Sequence, residues 1–287
     1  MLFNSIDFAI FLPVVFLIYW QLNGKSLRAQ NIFLLASSYV FYGWWDYRFL
    51  ALIFLSTLID FYAAQQIQKF SDSIVKKKLF LNLSLFSNLG LLFFFKYFDF
   101  FLSNLKDAFT IFGYPIEISS LHFILPVGIS FYTFQTMSYS IDVYRGKLTP
   151  SKDFFAFAGF VSFFPQLVAG PIERAVNLLP QFTTPRKFNL QKGILGLRQI
   201  LWGFFKKVVI ADNCGVFANQ IFDNHLEYSG SALLLGVVFF AFQIYGDFSG
   251  YSDIAIGLSR LFGFELMKNF AFPYFSRDIA EFWRRWH

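Results

Sequence analysis

Charged residues and cysteine are scarce in this sequence. Only 15% of its 287 residues are charged, whereas soluble domains carry about 25%. No long polar stretch is present that would form a water-soluble domain. The one cysteine, Cys214, excludes an internal disulfide and a cysteine-based metal site, and we predict no metal site. The segment Met1–Leu22 lacks the basic start and the small-residue cleavage site of a secretory signal, so it is interpreted as the first membrane helix.

Apolar and aromatic residues dominate the chain instead. Hydrophobic residues make up 56% of the chain, and the aromatic residues among them make up 23%. Phe alone occupies 45 positions, and the mean hydropathy is +0.50. This composition is typical of an integral membrane protein. The net charge of +6 is assigned to cytoplasmic loops rich in Lys and Arg rather than to nucleic-acid binding. We therefore predict an all-α, polytopic membrane protein with a single membrane domain, residues 1–287.

Apolar runs along the chain predict the membrane helices. A bilayer core of about 30 Å needs roughly 20 helical residues, and several of the runs are shorter than that. The final stretch, Phe270–His287, is predicted to be a helix lying near an interface. The candidate spans are Ile6–Leu22, Asn31–Trp45, Phe49–Ile67, Leu79–Phe98, Phe123–Ile141, Phe154–Gly170, Ile194–Ile210, Ala232–Tyr245 and Tyr251–Phe264.

Basic residues cluster in short segments between these spans, which the positive-inside rule places in the cytoplasm. The segment Phe154–Gly170 has such clusters on both sides, so a single crossing would violate the rule. We therefore predict that it enters the membrane and returns as a re-entrant element, in agreement with its helix-breaking Pro165. The basic clusters are Lys25 and Arg28; Lys69, Lys76, Lys77 and Lys78; Arg145, Lys147 and Lys152; and Arg174, Arg186, Lys187 and Lys192.

Polar side chains inside apolar spans are costly, and they often mark functional sites. Gln135 lies in one span and Gln166 in the broken one. Both are compatible with hydrogen bonding between helices and with the wall of a cavity. Glu173 and Arg174 follow the helix breakers, where a structural loop and the wall of a substrate tunnel are equally plausible.

The segment Gly246–Asp253, where two predicted spans meet, is rich in polar residues. Its two glycines are four residues apart, which allows a neighbouring helix to approach closely. Each unpaired aspartate would cost about 2.5–3.5 kcal/mol at mid-membrane, so both need partners. A purely structural network and the support of a functional site remain equally open. The polar residues concerned are Asp247, Ser249, Tyr251 and Asp253, with Arg260, Arg277 or Arg284 as candidate partners.

The last residues combine tryptophan, arginine and histidine. Ser276 is predicted to cap a final helix, on which Trp283, Trp286 and His287 would share one face. This pattern fits an interfacial anchor, with catalysis by His287 as the alternative. No phosphate-binding loop, dinucleotide fingerprint or serine-hydrolase motif is present. The residues alone therefore fit a transporter and a membrane-embedded transferase equally well. The two other histidines, His122 and His225, are assigned to the surface.

Five motifs, in this order, resemble those of the membrane-bound O-acyltransferase (MBOAT) family, most closely its bacterial alginate O-acetyltransferase branch. Each fragment alone is weak, but the ordered set is specific. It extends over the motif-bearing core, 121–287, whereas the N-terminal helices, 1–120, match only in being multi-helical. The motifs are Leu125–Gln135, Ser138–Arg145, Phe163–Ile172, Asp247–Gly257 and Phe282–His287.

The resemblance implies a ring of helices around a tunnel through the membrane. His287 matches the first of two histidines characteristic of the family, and the second lies beyond the end of this sequence. The chain is therefore expected to be a C-terminally truncated piece of a longer protein, inactive by itself. The residues expected to line the tunnel are Trp283, Arg284, Gln135, Gln166 and Tyr251, with Asp247, Ser249, Asp253, Glu173 and Arg174 in support.

The activity that the resemblance implies is transfer of an acyl group, expected to be acetyl, to hydroxyls of an exported polysaccharide such as alginate. No bound cofactor is expected, and the donor would be acetyl-CoA or an acyl carrier thioester. The expected location is the bacterial inner membrane, with lipid around the protein and acetyltransferase partner proteins outside the cytoplasm. The alternatives are D-alanyl transfer to teichoic acid by the same fold and a non-enzymatic transporter or flippase.

Overall fold

The computed structural model describes residues 1–114, 125–167 and 170–287, and the regular structure of these residues is helical throughout. His122 and the beginning of the predicted span Phe123–Ile141 lie outside the described residues. The helices are α1 (Ile6–Gln21), α2 (Leu27–Gly43), α3 (Leu50–Lys69), α4 (Ile74–Leu92), α5 (Phe98–Ile111), α6 (Ile129–Tyr144), α7 (Phe154–Val161), α8 (Phe164–Leu167), α9 (Ala175–Thr183), α10 (Leu190–Phe204), α11 (Asp212–Asp223), α12 (Gly230–Leu261) and α13 (Ile279–Arg285).

Three helical stretches of the described residues are long and apolar enough to cross a membrane. They are Tyr47–Lys69, Ile74–Ile111 and Gly230–Leu261, with 23, 38 and 32 residues. At 1.5 Å per residue the two longer ones exceed a bilayer core of about 30 Å. These lengths and the helical architecture fit the predicted multi-pass membrane protein.

Helix α12 corrects the predicted spans Ala232–Tyr245 and Tyr251–Phe264, which the structure joins into one helix, Gly230–Leu261. The glycines between the two apolar runs do not interrupt it. A glycine inside a helix costs only about 1 kcal/mol, and a neighbouring helix packs against this part of α12.

The predicted span Leu79–Phe98 is also too short. Helix α4 continues through a π-helical turn, Phe93–Tyr97, into α5. The residues from Asp99 to Ile111, which lie beyond the predicted span, are therefore also helical.

The segment predicted to be broken does break. Helix α7 ends at Val161 and the short helix α8 starts at Phe164. Eight residues of helix extend for about 12 Å, too short to cross a bilayer, and the side chains from Ala156 to Val161 are buried by other parts of the protein. Its path as a re-entrant element of the membrane stays a prediction.

Aromatic rings form the centre of the protein. The rings of Phe163 and Phe264 lie 4.7 Å apart, and those of Phe182 and Phe264 lie 4.6 Å apart. Tyr19 donates a 2.8 Å hydrogen bond to the carbonyl of Phe262. These contacts attach the chain that leaves α12 to α1, α8 and α9.

The closest helix pair is α10 with α12, and glycines form its seam. A Cβ added at Gly196 would lie 2.7 Å from the carbonyl oxygen of Gly257, and one at Gly203 would lie 2.6 Å from that of Gly250. The two backbones therefore touch, which no larger residue would permit. The π-helical turn Phe205–Ala211 extends α10 into α11 along the same face.

The end of the chain differs from the predicted helix Phe270–His287. The residues that leave α12 are irregular up to a single turn at Pro273–Phe275, and helix α13 covers only Ile279–Arg285. The predicted cap is also wrong. Asp278, not Ser276, accepts the 2.6 Å hydrogen bond from the backbone of Glu281, and Ser276 donates instead to the carbonyl of Pro273.

Substitution of Gly257 by alanine is expected to weaken the seam. Its Cβ would lie 2.5 Å from the carbonyl oxygen of Gly196, so the helices must separate. Overpacking of this kind costs about 1–3 kcal/mol. The midpoint of thermal unfolding in detergent should therefore fall.

Gly90→Ala is the matched control, because no atom lies within 4 Å of the added Cβ. In α4 this change should raise stability slightly, by up to about 1 kcal/mol, through helix propensity alone. Equal midpoints for the two variants would contradict the glycine seam.

Candidate active site

A chain of polar contacts connects α10 to α12 beside the glycine seam. Lys206, 7% exposed, forms an ion pair with Asp253. Gln199 donates a 2.9 Å hydrogen bond to the same carboxylate, and Arg260 donates one of 2.6 Å to Gln199. Asp253 is thus neutralised by a lysine of the facing helix.

A second lysine neutralises the other aspartate. Lys207 lies 2.6 Å from both Asp247 and Asp212, and its ammonium group lies 5.6 Å from the centre of the Tyr251 ring. Ser249 is buried on the same helix as Asp247.

The predicted arginine partners of the two aspartates are therefore wrong. The partners are Lys206 and Lys207, because the π-helical turn that carries them faces α12 directly. Arg260 reaches Asp253 only through Gln199, and Arg277 pairs with Glu281.

A pocket of about 370 Å³ lies against this cluster. It is bounded by α10, α12 and the irregular stretch after α12. Its wall is mainly aromatic, with charged groups of both signs at one side. The residues that line it include Gln199, Trp202, Lys206, Phe242, Tyr245, Asp253, Lys268 and Phe270. Mostly apolar walls with a few convergent polar groups are typical of ligand sites.

His287 lies next to this pocket, and its ring is held by Asn269. The His287 Nδ1 atom is 2.9 Å from Asn269 Oδ1. The Asn269 amide nitrogen donates a 2.7 Å hydrogen bond to Ser252, which turns the amide oxygen towards the histidine. With the amide in this orientation, Nδ1 donates to Asn269 and the lone pair of Nε2 is left to accept a proton.

Aromatic rings flank the same imidazole. The centre of the Phe248 ring is 4.7 Å from that of His287, and Phe270, which lines the pocket, is 6.3 Å away. The resulting loss of solvent lowers the pKa of His287 below its ordinary value of 6.5. The lowered pKa favours the neutral form of the ring, which is the form that a general base requires.

Helix α13 carries the remaining predicted C-terminal site residues. The backbone and side chain of Arg277, followed by Arg285, hold the pKa of Glu281 at about 2, which fixes the start of the helix. The predicted shared face of Trp283, Trp286 and His287 is wrong, because the helix ends at Arg285.

Trp286 packs on Phe270, at 5.1 Å between ring centres. Trp283 is 63% exposed, and Arg284 is exposed beside it. Neither lines the pocket described above. Their tunnel-lining role stays a prediction.

The other predicted site residues lie in a separate group. Gln166 donates to Gln135 over 3.4 Å, and Gln135 donates to the carbonyl of Phe160 at 3.0 Å. Glu173 accepts a 2.8 Å hydrogen bond from the backbone of Met267, whereas the side chain of Arg174 is exposed. In the structure Gln135, Gln166 and Glu173 connect segments, and their part in a tunnel stays a prediction.

Sequence reasoning overlooked several residues of the site. Lys206 and Lys207 end an apolar run, and charges within a predicted span are the signal that identifies them. The same signal would have found Asp60, a fully buried carboxylate in α3 that accepts hydrogen bonds from Ser84 and Asn88.

Lys206→Met is expected to destabilise the protein by about 3 kcal/mol, because it leaves Asp253 without its counter-ion. The double variant Lys206→Met, Asp253→Leu should recover most of the loss. Thermal unfolding midpoints of the single and double variants in detergent measure the difference.

Lys192→Met is the control from the same helix. Lys192 pairs with Glu265 at 3.0 Å, but both side chains are about half exposed, at 56% and 48%. Such pairs contribute about 0–1 kcal/mol. If Lys206→Met lowered the unfolding midpoint no more than this control does, the stabilising role of the Lys206–Asp253 pair would be contradicted.

Comparisons with known proteins identify relatives of this chain. Probable alginate O-acetylase AlgI of Pseudomonas putida is 41% identical over 288 residues, which cover 100% of this chain and 58% of that protein. The peptidoglycan O-acetyltransferase of Helicobacter pylori is 37% identical over 316 residues, which cover 100% of this chain and 59% of that protein. The teichoic acid D-alanyltransferase of Streptococcus thermophilus is 33% identical over 169 residues, 56% and 40% of the two chains.

The chain thus spans little more than half the length of the first two relatives. The family profile of the membrane-bound O-acyltransferases, MBOAT, matches residues 38–287. This match includes the glycine seam, both lysine–aspartate pairs and the His287 site. The chain therefore belongs to the membrane-bound O-acyltransferase family.

Proposed function

We propose that this chain provides part of the active site of an O-acyltransferase that transfers acetyl groups to hydroxyls of an exported polysaccharide. The observation that supports this function most directly is the hydrogen bond between His287 Nδ1 and Asn269 Oδ1. It leaves the lone pair of Nε2 unused by Asn269, and the neighbouring Phe270 ring also lines a largely apolar pocket. A neutral, oriented imidazole is the group that activates a hydroxyl for acyl transfer.

The reaction requires the movement of one proton and one acyl group. The imidazole takes the proton of the acceptor hydroxyl while its oxygen attacks the carbonyl carbon of a thioester. The tetrahedral oxyanion collapses, the C–S bond breaks, and the thiolate leaves with the proton returned to it. In this chain His287 would assist or orient the transfer, together with the second histidine that the family carries outside this sequence.

The pocket beside α12 is the proposed site of the acyl group. Its volume of about 370 Å³ lies within the range of small-molecule sites, about 300–1,000 Å³. Trp202, Tyr245 and Phe270 provide apolar walls. Lys268 lines the same pocket, and its positive charge suits a donor with negative charge, such as acetyl-CoA or an acyl carrier thioester.

Transfer of acetyl is preferred to transfer of D-alanyl. The relatives named as O-acetylating enzymes match the whole chain at 37–41% identity, whereas the D-alanyltransferase matches 56% of it. Alginate and peptidoglycan are the two acceptors that these relatives suggest. D-alanyl transfer to teichoic acid is the second candidate.

The proposed location is the bacterial cytoplasmic membrane. The donor would then approach from the cytoplasm, and the acetyl group would be passed outward to the polysaccharide or to acetyltransferase partner proteins. Phe242 and Ile210, which line the pocket, belong to helices whose outer faces are apolar and suited to lipid.

His287→Ala in the full-length protein is expected to lower acetyl transfer by about 10²-fold or more, the usual contribution of a positioned proton-transfer group. Asn269→Ala should lower it by a smaller factor, because the imidazole loses its orientation. The assay follows radiolabelled acetyl from acetyl-CoA to alginate or peptidoglycan fragments in membranes, with D-alanyl carrier protein and teichoic acid as the alternative pair.

His225→Ala is the control, since the His225 ring is exposed and its hydrogen-bonding contact is with the carbonyl of Phe222, three residues earlier. It should leave transfer unchanged. Unchanged transfer by His287→Ala would remove this residue from the reaction, and transfer to teichoic acid alone would favour the second candidate.

A further inference from the structure

A second pocket lies apart from the active site, where the turn between α1 and α2 meets the chain before α10. Its volume is about 420 Å³. Three cationic side chains line it, namely Lys25, Arg186 and Lys187, and none of its lining residues is acidic. A concave surface with charge of one sign concentrates ions of the opposite sign.

Arg186 is the buried cation of this pocket, with 5% of its surface exposed. It donates hydrogen bonds to the side chains of Gln30, at 3.1 Å, and Asn31, at 2.6 Å, and to the carbonyl of Gln181, at 3.1 Å. All these acceptors are neutral. Within residues 1–114, 125–167 and 170–287, Arg186 forms no ion pair with a carboxylate.

A buried charge without a counter-ion is costly. The ring of Phe264, 4.7 Å from the guanidinium carbon, compensates it only in part. An anion in the pocket would supply the missing negative charge.

Two further features favour an anion at the same place. Ser26 lines the pocket and caps the 17-residue helix α2 by accepting a hydrogen bond from Ala29, so the positive end of this helix faces the pocket region. The side chains of Lys25 and Lys187 are exposed and free to close over a ligand. Both belong to segments that the positive-inside rule assigns to the cytoplasmic boundary.

We propose that this pocket binds a phosphate group at the cytoplasmic surface of the membrane. Its source would be the headgroup of an anionic phospholipid or a soluble phosphate ester. Basic pockets between helices at this depth are suited to lipid phosphates. The site is independent of acyl transfer, but it adjoins the active-site scaffold, because Trp20 at the end of α1 donates a 3.0 Å hydrogen bond to the carbonyl of Leu261 at the end of α12.

The double variant Lys25→Gln, Lys187→Gln tests the site without touching the buried arginine. Each lysine near an anionic group contributes about 1 kcal/mol, so binding should weaken by about 30-fold, at 1.4 kcal/mol per factor of ten. Native mass spectrometry of the detergent-purified full chain measures retention of phosphatidylglycerol against phosphatidylcholine. Isothermal titration with glycerol 3-phosphate, a soluble phosphate ester, provides the soluble arm.

Lys76→Gln, Lys78→Gln is the control, because it removes the same charge from exposed positions on the same predicted side, outside the pocket. An unchanged thermal midpoint shows that each variant is folded. Selective loss of phosphatidylglycerol by the pocket variant identifies a lipid phosphate, and loss of glycerol 3-phosphate binding alone identifies a soluble ester. The proposal would be overturned if the pocket variant bound both ligands as well as the wild-type protein does. It would also be overturned if the control variant lost as much binding as the pocket variant.

Discussion

The contact between the backbones of α10 and α12 is the constraint on which the rest of the site depends. Gly196 and Gly203 face Gly257 and Gly250 so closely that a Cβ added to any of them would lie within 2.9 Å of a carbonyl oxygen of the opposite helix. This approach brings the π-helical turn Phe205–Ala211 against α12, where its lysines meet two aspartates. Small residues and buried ion pairs thus serve one purpose, which is to hold a polar wall rigid within an apolar protein.

The residues that follow α12 connect this polar wall to His287. Asn269 is tied to α12 by its hydrogen bond to Ser252 and holds the imidazole of His287 by its other end. Phe270 contacts this imidazole and also lines the pocket. The position of the histidine is therefore determined by α12, although it lies far along the chain from most of that helix.

The sequence was sufficient for the helical membrane class, the close approach at Gly246 and Gly250, and the break near Pro165, because each depends on local composition or spacing. It was insufficient for the partners of the aspartates. A π-helical turn shifts the phase of a helix, so a period of 3.6 residues cannot place Lys206 and Lys207. Periodicity likewise could not show that α12 is continuous, since only packing makes its glycines tolerable.

The central claim is that the pocket between α10, α12 and the residues after α12 holds the acyl group beside His287. Photocrosslinking of the full-length protein with an acyl-CoA analogue, followed by peptide mapping, tests it most directly. Label is expected on the peptides that contain Trp202, Tyr245 and Phe270. Added acetyl-CoA should compete with the analogue and reduce this labelling. Competed label confined to other parts of the protein would contradict it.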